Sequence, residues 1–233
     1  ATATPIIQYI LNHIPQVGVI TTKSIGIAER LGYREPILAQ YAPGCFVNAV
    51  GLTNSGARSS LEAFSNLTVP DDRFLLTSIF GGSVREFVEI SRILAPVTDG
   101  FELNLSCPHA EGYGMAMGQD PELVAEIISA IKANCKLPVI AKLTPNTSDI
   151  KTIARAAEQA GVDGFCAINT VGPGYASAFG HPLLSNTEGG ISGKGILPIA
   201  LKCIREIREI SDLPIIGCGG FSNAADVRAA REA

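Results

Sequence analysis

The sequence predicts an α/β protein, and two observations choose a (β/α)8 TIM barrel over an open doubly wound sheet. Six short runs rich in Val, Ile, Leu and Phe recur with amphipathic helices between them. Their apolar residues are nearly continuous rather than alternating, as in parallel strands covered on both faces. Polar residues then stand at strand ends: Thr22-Lys23-Ser24, Asn104 with Ser106 and Cys107, Lys142, Asn169-Thr170 and Gly219-Gly220. In a barrel those ends converge on one face and build a single site.

The first residues read as a helix leading into VGVIT (17–21), the first strand. RFLLTSIF (73–80), GFELNLS (100–106), PVIAKL (138–143), GFCAIN (164–169) and PIIGC (214–218) supply the others. The clearest helix, DPELVAEIISAIKAN, has Asp120 as N-cap and Pro121 as its first residue, with Leu123, Val124, Ile127, Ile128 and Ile131 on one face. A second, SDIKTIARAAEQAG, starts at Ser148 and ends at Gly161, turning Ile150, Ile153, Ala154 and Ala157 inward. The last, SNAADVRAAREA, is opened by Ser222. Six strands are two short of a barrel, so terminal strands are expected to be missing from this chain. The 233 residues suit one domain over 1–233.

Composition excludes several function classes. Eighteen basic against 22 acidic side chains give a net charge of −4, with no basic surplus for nucleic acid or anionic lipid. No apolar run approaches the ~18 residues of a membrane span, and the N-terminus lacks the basic region of a secretory signal. A soluble, cytoplasmic protein is expected. The six cysteines form no CxxC pair, and His13, His109 and His181 have no metal-ligand spacing, so no metal is expected. Neither a Rossmann GxGxxG after an early strand nor a Walker motif occurs.

What remains is a cluster of candidates at strand ends. Cys107 leaves a strand for the loop that runs from Ala110 to Gly118, where a thiol can act as base or nucleophile under a closing segment. It can equally be a small buried residue, the reading given to Cys45, Cys135, Cys166, Cys203 and Cys218. Lys23 and Lys142 follow buried strands and need a negative partner, an anionic ligand or an electron-rich ring. Asn48, Asn104 and Asn169 pair donor and acceptor on short stems, which suits a planar heterocycle with amide edges, although each could satisfy loop backbone instead. GCGG (217–220) precedes a helix start and could hold a phosphate, with GGISG (189–193), in a long loop, adding backbone donors.

The motifs ITTKSI (20–25), NAVGLTN (48–54), ELNLSCPH (102–109), GQDPELV (118–124), AKLTPN (141–146), INT (168–170), EGGISG (188–193) and IIGCGG (215–220) occur in one order along most of the chain. In this the sequence resembles the FMN-dependent class 1 dihydroorotate dehydrogenases and the related pyrimidine-reducing domain of dihydropyrimidine dehydrogenase. The resemblance implies FMN at the C-terminal face of the barrel, with its phosphate at Gly193, Gly219 and Gly220. It assigns Lys23 to both flavin and substrate, and Ser24, Ser78, Asn104, Lys142 and Ile168 to the flavin. Pyrimidine contacts fall to Asn48, Ala49, Val50, Gly51, Leu52, Asn104, Asn169 and Thr170, with His109 nearby. Cys107 stands at the position of the catalytic cysteine, as base in oxidation and acid in reduction.

Two features depart from the dihydroorotate dehydrogenases. Ser78 stands where asparagine is common, and His109 matches the dihydropyrimidine dehydrogenase version instead. The expected activity is interconversion of dihydroorotate and orotate, with uracil or thymine reduction as the alternative. A Schiff-base aldolase using Lys142, or an inactive partner subunit, are distant readings. An electron-transfer subunit carrying FAD and an iron–sulfur cluster, and a homodimer, are the expected partners.

Overall fold

The computed structural model describes residues 3–105 and 115–233. Helix α1 (Thr4–His13) leads into β1 (Val19–Thr21), followed by β2 (Leu38–Ala42), β3 (Cys45–Asn48) and α2 (Ala57–Ser65). Next come β4 (Phe74–Ile79), α3 (Val84–Leu94), β5 (Gly100–Asn104), α4 (Pro121–Asn134), β6 (Val139–Leu143) and α5 (Ile150–Gln159). The chain continues through β7 (Gly164–Ala167), β8 (Val171–Tyr175), β9 (Glu188–Gly193), α6 (Leu197–Arg208), β10 (Ile215–Gly217) and α7 (Ala224–Glu232).

Six parallel strands form the central sheet in the order β1-β4-β5-β6-β7-β10, the six apolar runs of the sequence. The order never reverses. A doubly wound sheet would have a switch point where it does, so this is the winding of a TIM barrel. Successive helices from α2 to α7 touch one another in turn and so form one layer against the sheet.

Alternation along each strand divides its side chains between that helical layer and the opposite face. Phe101, Leu103, Val139, Ala141, Phe165 and Ala167 are fully or almost fully buried and join one cluster with Phe87, Ile90, Val124, Ile127 and Ile128 of the helices. Glu102, Asn104, Ile140, Lys142 and Cys166 therefore turn to the other face, where the polar side chains gather.

An Asp-Gly-Phe triplet at 99–101 recurs at 163–165 and performs the same task twice. The carboxylates of Asp99 and Asp163 accept the backbone N–H of Leu75 and Val139, each at 2.7 Å. Phe101 and Phe165 donate their N–H groups to the carbonyls of Pro138 and Pro214 at 2.8 and 2.9 Å. A Cβ on Gly164 would lie 2.8 Å from the Pro214 oxygen, so only glycine lets the strands come this close.

The sequence reading needs three corrections here. The SDIKTIARAAEQAG helix is capped by Asp149, not Ser148: its carboxylate accepts from the N–H groups of Lys151 and Thr152. The last helix is capped by Asn223 in a capping box with Asp226, while Ser222 donates to Asp226 from outside the helix. GGISG is not loop: residues 188–193 are β9, part of an antiparallel sheet ordered β8-β9-β3-β2. That sheet lies at the strand-tip end, since β8 follows β7 by three residues.

Candidate active site

The register brings the carboxyl ends of neighbouring strands together: Ile79 pairs with Leu103, Asn104 with Lys142 and Leu143 with Ala167. Asn169 donates from its amide to Asn104 Oδ1 at 3.2 Å. Asn104 donates to Ser24 Oγ at 3.1 Å, and Ser24 and Ser78 share a hydrogen bond of 2.9 Å. The Thr170 N–H closes the row on Asn169 Oδ1 at 2.8 Å. Side chains from the tips of β1, β4, β5 and β7, far apart in sequence, thus form one hydrogen-bonded line.

Beside that line lies a charged group. Lys142 is the register partner of Asn104 on one side and Cys166 on the other. Its Nζ lies 3.6 Å from a carboxylate oxygen of Glu102, which is 3% exposed. Burial alone would lower the Lys142 pKa; Glu102, helped by the Cys166 and Cys218 thiols, outweighs it and raises the value. Lys142 therefore stays a cation. The sequence reading asked for a negative partner, and Glu102 is that partner.

Cys166 and Cys218 interact across β7 and the end of β10. The hydrogen bond from Cys166 lowers the Cys218 pKa to about 6, against burial and with help from Lys142. Its counterpart and burial push Cys166 well above the usual thiol range. The expectation of five small buried cysteines holds for Cys135, Cys166 and Cys203 but fails for Cys218, which is exposed, and Cys45, which is half-buried. Cys218 lies just past the end of β10.

The two glycine motifs meet. A Cβ on Gly220 (φ +81°) would lie 2.8 Å from both the Gly193 carbonyl oxygen and the N–H nitrogen of Leu197, the first residue of α6. Gly219 has φ +122°, and a Cβ there would come within 3.2 Å of the Ile168 side chain. The backbone of Ile168 donates to the Cys218 carbonyl at 2.7 Å. The antiparallel sheet joins at Gly190, where a Cβ would press on Thr170 and whose carbonyl accepts from Asn48 at 3.2 Å.

Residues 48–52 leave β3 and turn at Gly51 (φ +77°) and Leu52 (φ +58°). Ala49 and Leu52 are buried in the protein. Val50 and Lys23 line a cavity of about 640 Å³ between α1, α2 and the tip of β1. Asn104 and Lys142 are not among its lining residues, while Lys23 and Ile25, which flank Ser24 of the polar line, are.

Cys107 and His109 lie outside the described residues, as does the Ala110–Gly118 loop except for its end, where Met115–Gln119 is a short helix. Among the described residues no group of three His, Cys, Asp or Glu is placed to hold a metal, and no helix is long and apolar enough to cross a membrane.

Sequence reasoning passed over Glu102. The signal was available: it is the charged residue of the apolar strand GFELN, two positions before Asn104 and therefore on the same face. It also passed over Asn146, whose amide donates to the Thr170 carbonyl at 3.0 Å and whose Oδ1 accepts the Gly172 N–H at 2.9 Å.

Comparison with known proteins places this arrangement. The family model described as dihydroorotate dehydrogenase matches residues 8–233. A Pyrococcus horikoshii protein, "Dihydroorotate dehydrogenase B (NAD(+)), catalytic subunit", is 46% identical over 218 residues, 92% of this chain and 70% of that protein. Proteins of the same description from Thermococcus kodakarensis and Methanocaldococcus jannaschii are 44% and 42% identical, over 94% and 90% of this chain and 72% and 69% of theirs. An unreversed parallel winding, a polar line across its strand tips and this similarity along nearly the whole chain agree: the chain belongs to the dihydroorotate dehydrogenase family.

Proposed function

We propose that this chain catalyses the interconversion of dihydroorotate and orotate with bound FMN. The observation that carries the reading is the hydrogen-bonded line Ser78–Ser24–Asn104–Asn169 beside the Lys142 cation. Amides and hydroxyls in a row can exchange their mutual bonds for those of a planar ring with imide edges, and the ammonium favours negative charge next to it. The relatives' printed names support dihydroorotate over uracil or thymine, and favour neither an aldolase nor an inactive subunit.

The residues present fit FMN. A Cβ on Gly220 would press on the Gly193 carbonyl and on Leu197, so the two glycine motifs meet with no side chain between them, backbone that suits a phosphate. Gly219 belongs to the same cradle, with Ile168 against it. Lys23, Ser24, Ser78, Asn104 and Lys142 would hold the ring. When bound, FMN supplies the acceptor for the hydride that leaves C6 of the dihydropyrimidine.

The chain's own residues do the rest. Asn48, Asn104, Asn169, Thr170 and Lys23 orient the pyrimidine, with the backbone of Ala49, Val50, Gly51 and Leu52 and with His109 completing the contacts. Cys107, as thiolate, takes the proton from C5 while the C5–C6 double bond forms; in the reverse direction its thiol returns that proton. The Ala110–Gly118 loop would exclude water during this exchange.

The relatives are named as catalytic subunits of an NAD(+)-linked enzyme, which supports a separate partner subunit; in our reading that partner carries FAD and an iron–sulfur cluster and passes electrons onward. A homodimer of this chain and a cytoplasmic location belong to the same reading; the five described cysteines are free, which suits a reducing compartment.

The test is the absorption spectrum of the protein supplied with FMN. Dihydroorotate should bleach the flavin bands under anaerobic conditions and dihydrouracil should not. Bleaching by dihydrouracil alone would transfer the assignment to the uracil-type reaction, and no bleaching by either would overturn the reading.

A further inference from the structure

Glu102 is the buried acid that the reaction as described leaves without a task. It occupies the middle of β5, 3% exposed, on the same face as Asn104 and opposite the Phe101 and Leu103 side chains that pack on the helices. Its register neighbours are Ser78 and Ile140, neither able to balance a carboxylate. Its ionic partner is Lys142, at 3.6 Å. Two apolar residues of similar volume often hold such a place at equal stability, because taking both charges out of water can cost as much as their attraction returns. The pair therefore needs a reason other than folding.

We propose that Glu102 is a positioning residue: it fixes the Lys142 ammonium beside the strand tips and offsets its charge, so that the flavin meets the field of a pair rather than of a bare cation. This rests on the FMN reading given above. A full positive charge near a ring that becomes negative on reduction makes reduction easier, and in a partly dry interior the effect is large. With Glu102 in place the two charges nearly cancel at a distance, and Lys142 keeps its hydrogen-bonding directionality without holding the flavin reduced. Glu102 acts through Lys142 and touches no reacting atom.

The measurement is the midpoint potential of the bound flavin, by equilibration with a reference dye at pH 7, in the FMN-loaded protein. Glu102→Gln keeps the shape and removes the charge; read also at a mildly acidic pH that keeps Lys142 protonated without its partner, it should raise the potential, favouring reduction on the order of tenfold, about 30 mV for a two-electron couple. Lys142→Met should lower it. A Glu102→Leu/Lys142→Met double variant carries no buried charge, which guards against the single variants failing to fold, and its potential should lie within about threefold of the parent in equilibrium constant. If Glu102→Gln binds FMN with the parent potential, or if the double variant shifts as far as Lys142→Met, the proposal is overturned while the FMN reading stands. If the parent protein takes up no FMN at all, both fall together.

Discussion

The central parallel sheet and the antiparallel sheet at its tips are held together in different proportions by side chains and by backbone. In the first, Phe101, Leu103, Val139, Ala141, Phe165 and Ala167 are all 0% exposed, sealed between strands and helices. In the second, Leu38 and Tyr175 are 59% and 56% exposed, and order comes from backbone brought close at glycines: a Cβ on Gly193 would lie 2.1 Å from the Gly44 carbonyl oxygen and one on Gly189 2.4 Å from that of Asn48. One sheet is stabilised by what its side chains fill. The other has only a small buried cluster, Val47, Ala49 and Leu184, and depends besides on the absence of side chains at a few positions where backbone meets backbone.

This contrast fails if the two sheets respond alike to mutation. The largest effect is expected inside the parallel sheet: Phe165→Ala should cost about 3–5 kcal/mol of unfolding free energy in urea. A loss below about 1 kcal/mol would mean that the cluster around Phe165 is not the core. Next in size is Gly193→Ala, which adds a single carbon at φ +88° against the Gly44 backbone. About 1–3 kcal/mol is expected, together with weaker FMN binding by fluorescence titration. Gly193→Ala with parent stability and parent affinity would remove Gly193 from the cradle. The smallest effect sharpens the comparison from the other side. Truncating an exposed side chain of the antiparallel sheet, Tyr175→Ala, should change stability by no more than about 0.5 kcal/mol in the same urea experiment.

The same contrast explains what could be read from sequence. All six parallel strands were legible because their apolar runs, such as FLLTSI and VIAKL, are nearly continuous. The antiparallel sheet was not. LAQYA and VGPGY alternate weakly, with most residues exposed or half-buried, and EGGISG has the composition of a loop. Its pairing is decided by close backbone contacts that only the fold creates. At the site, the polar residues past the strand ends were visible, and Ser24, Ser78, Asn104 and Asn169 do form one line. The Lys142–Glu102 pair was half visible: a lysine in need of an anion, and an acid two positions before Asn104 in the next strand, joined only once the register is known. Ser148 and Ser222 misled as caps because an Asx residue follows each and caps better placed.

The paired Asp-Gly-Phe latches sit at the entry ends of their strands, at the far side of the sheet from the polar tips. Alignment of the staves is thereby secured at the base, independently of any molecule held above. Tip residues can in principle be rewritten for a different ring or a different acceptor without unsettling the scaffold, so long as both aspartates keep their hold. An engineer seeking new chemistry on this chain would leave positions 99–101 and 163–165 alone and work at the rim.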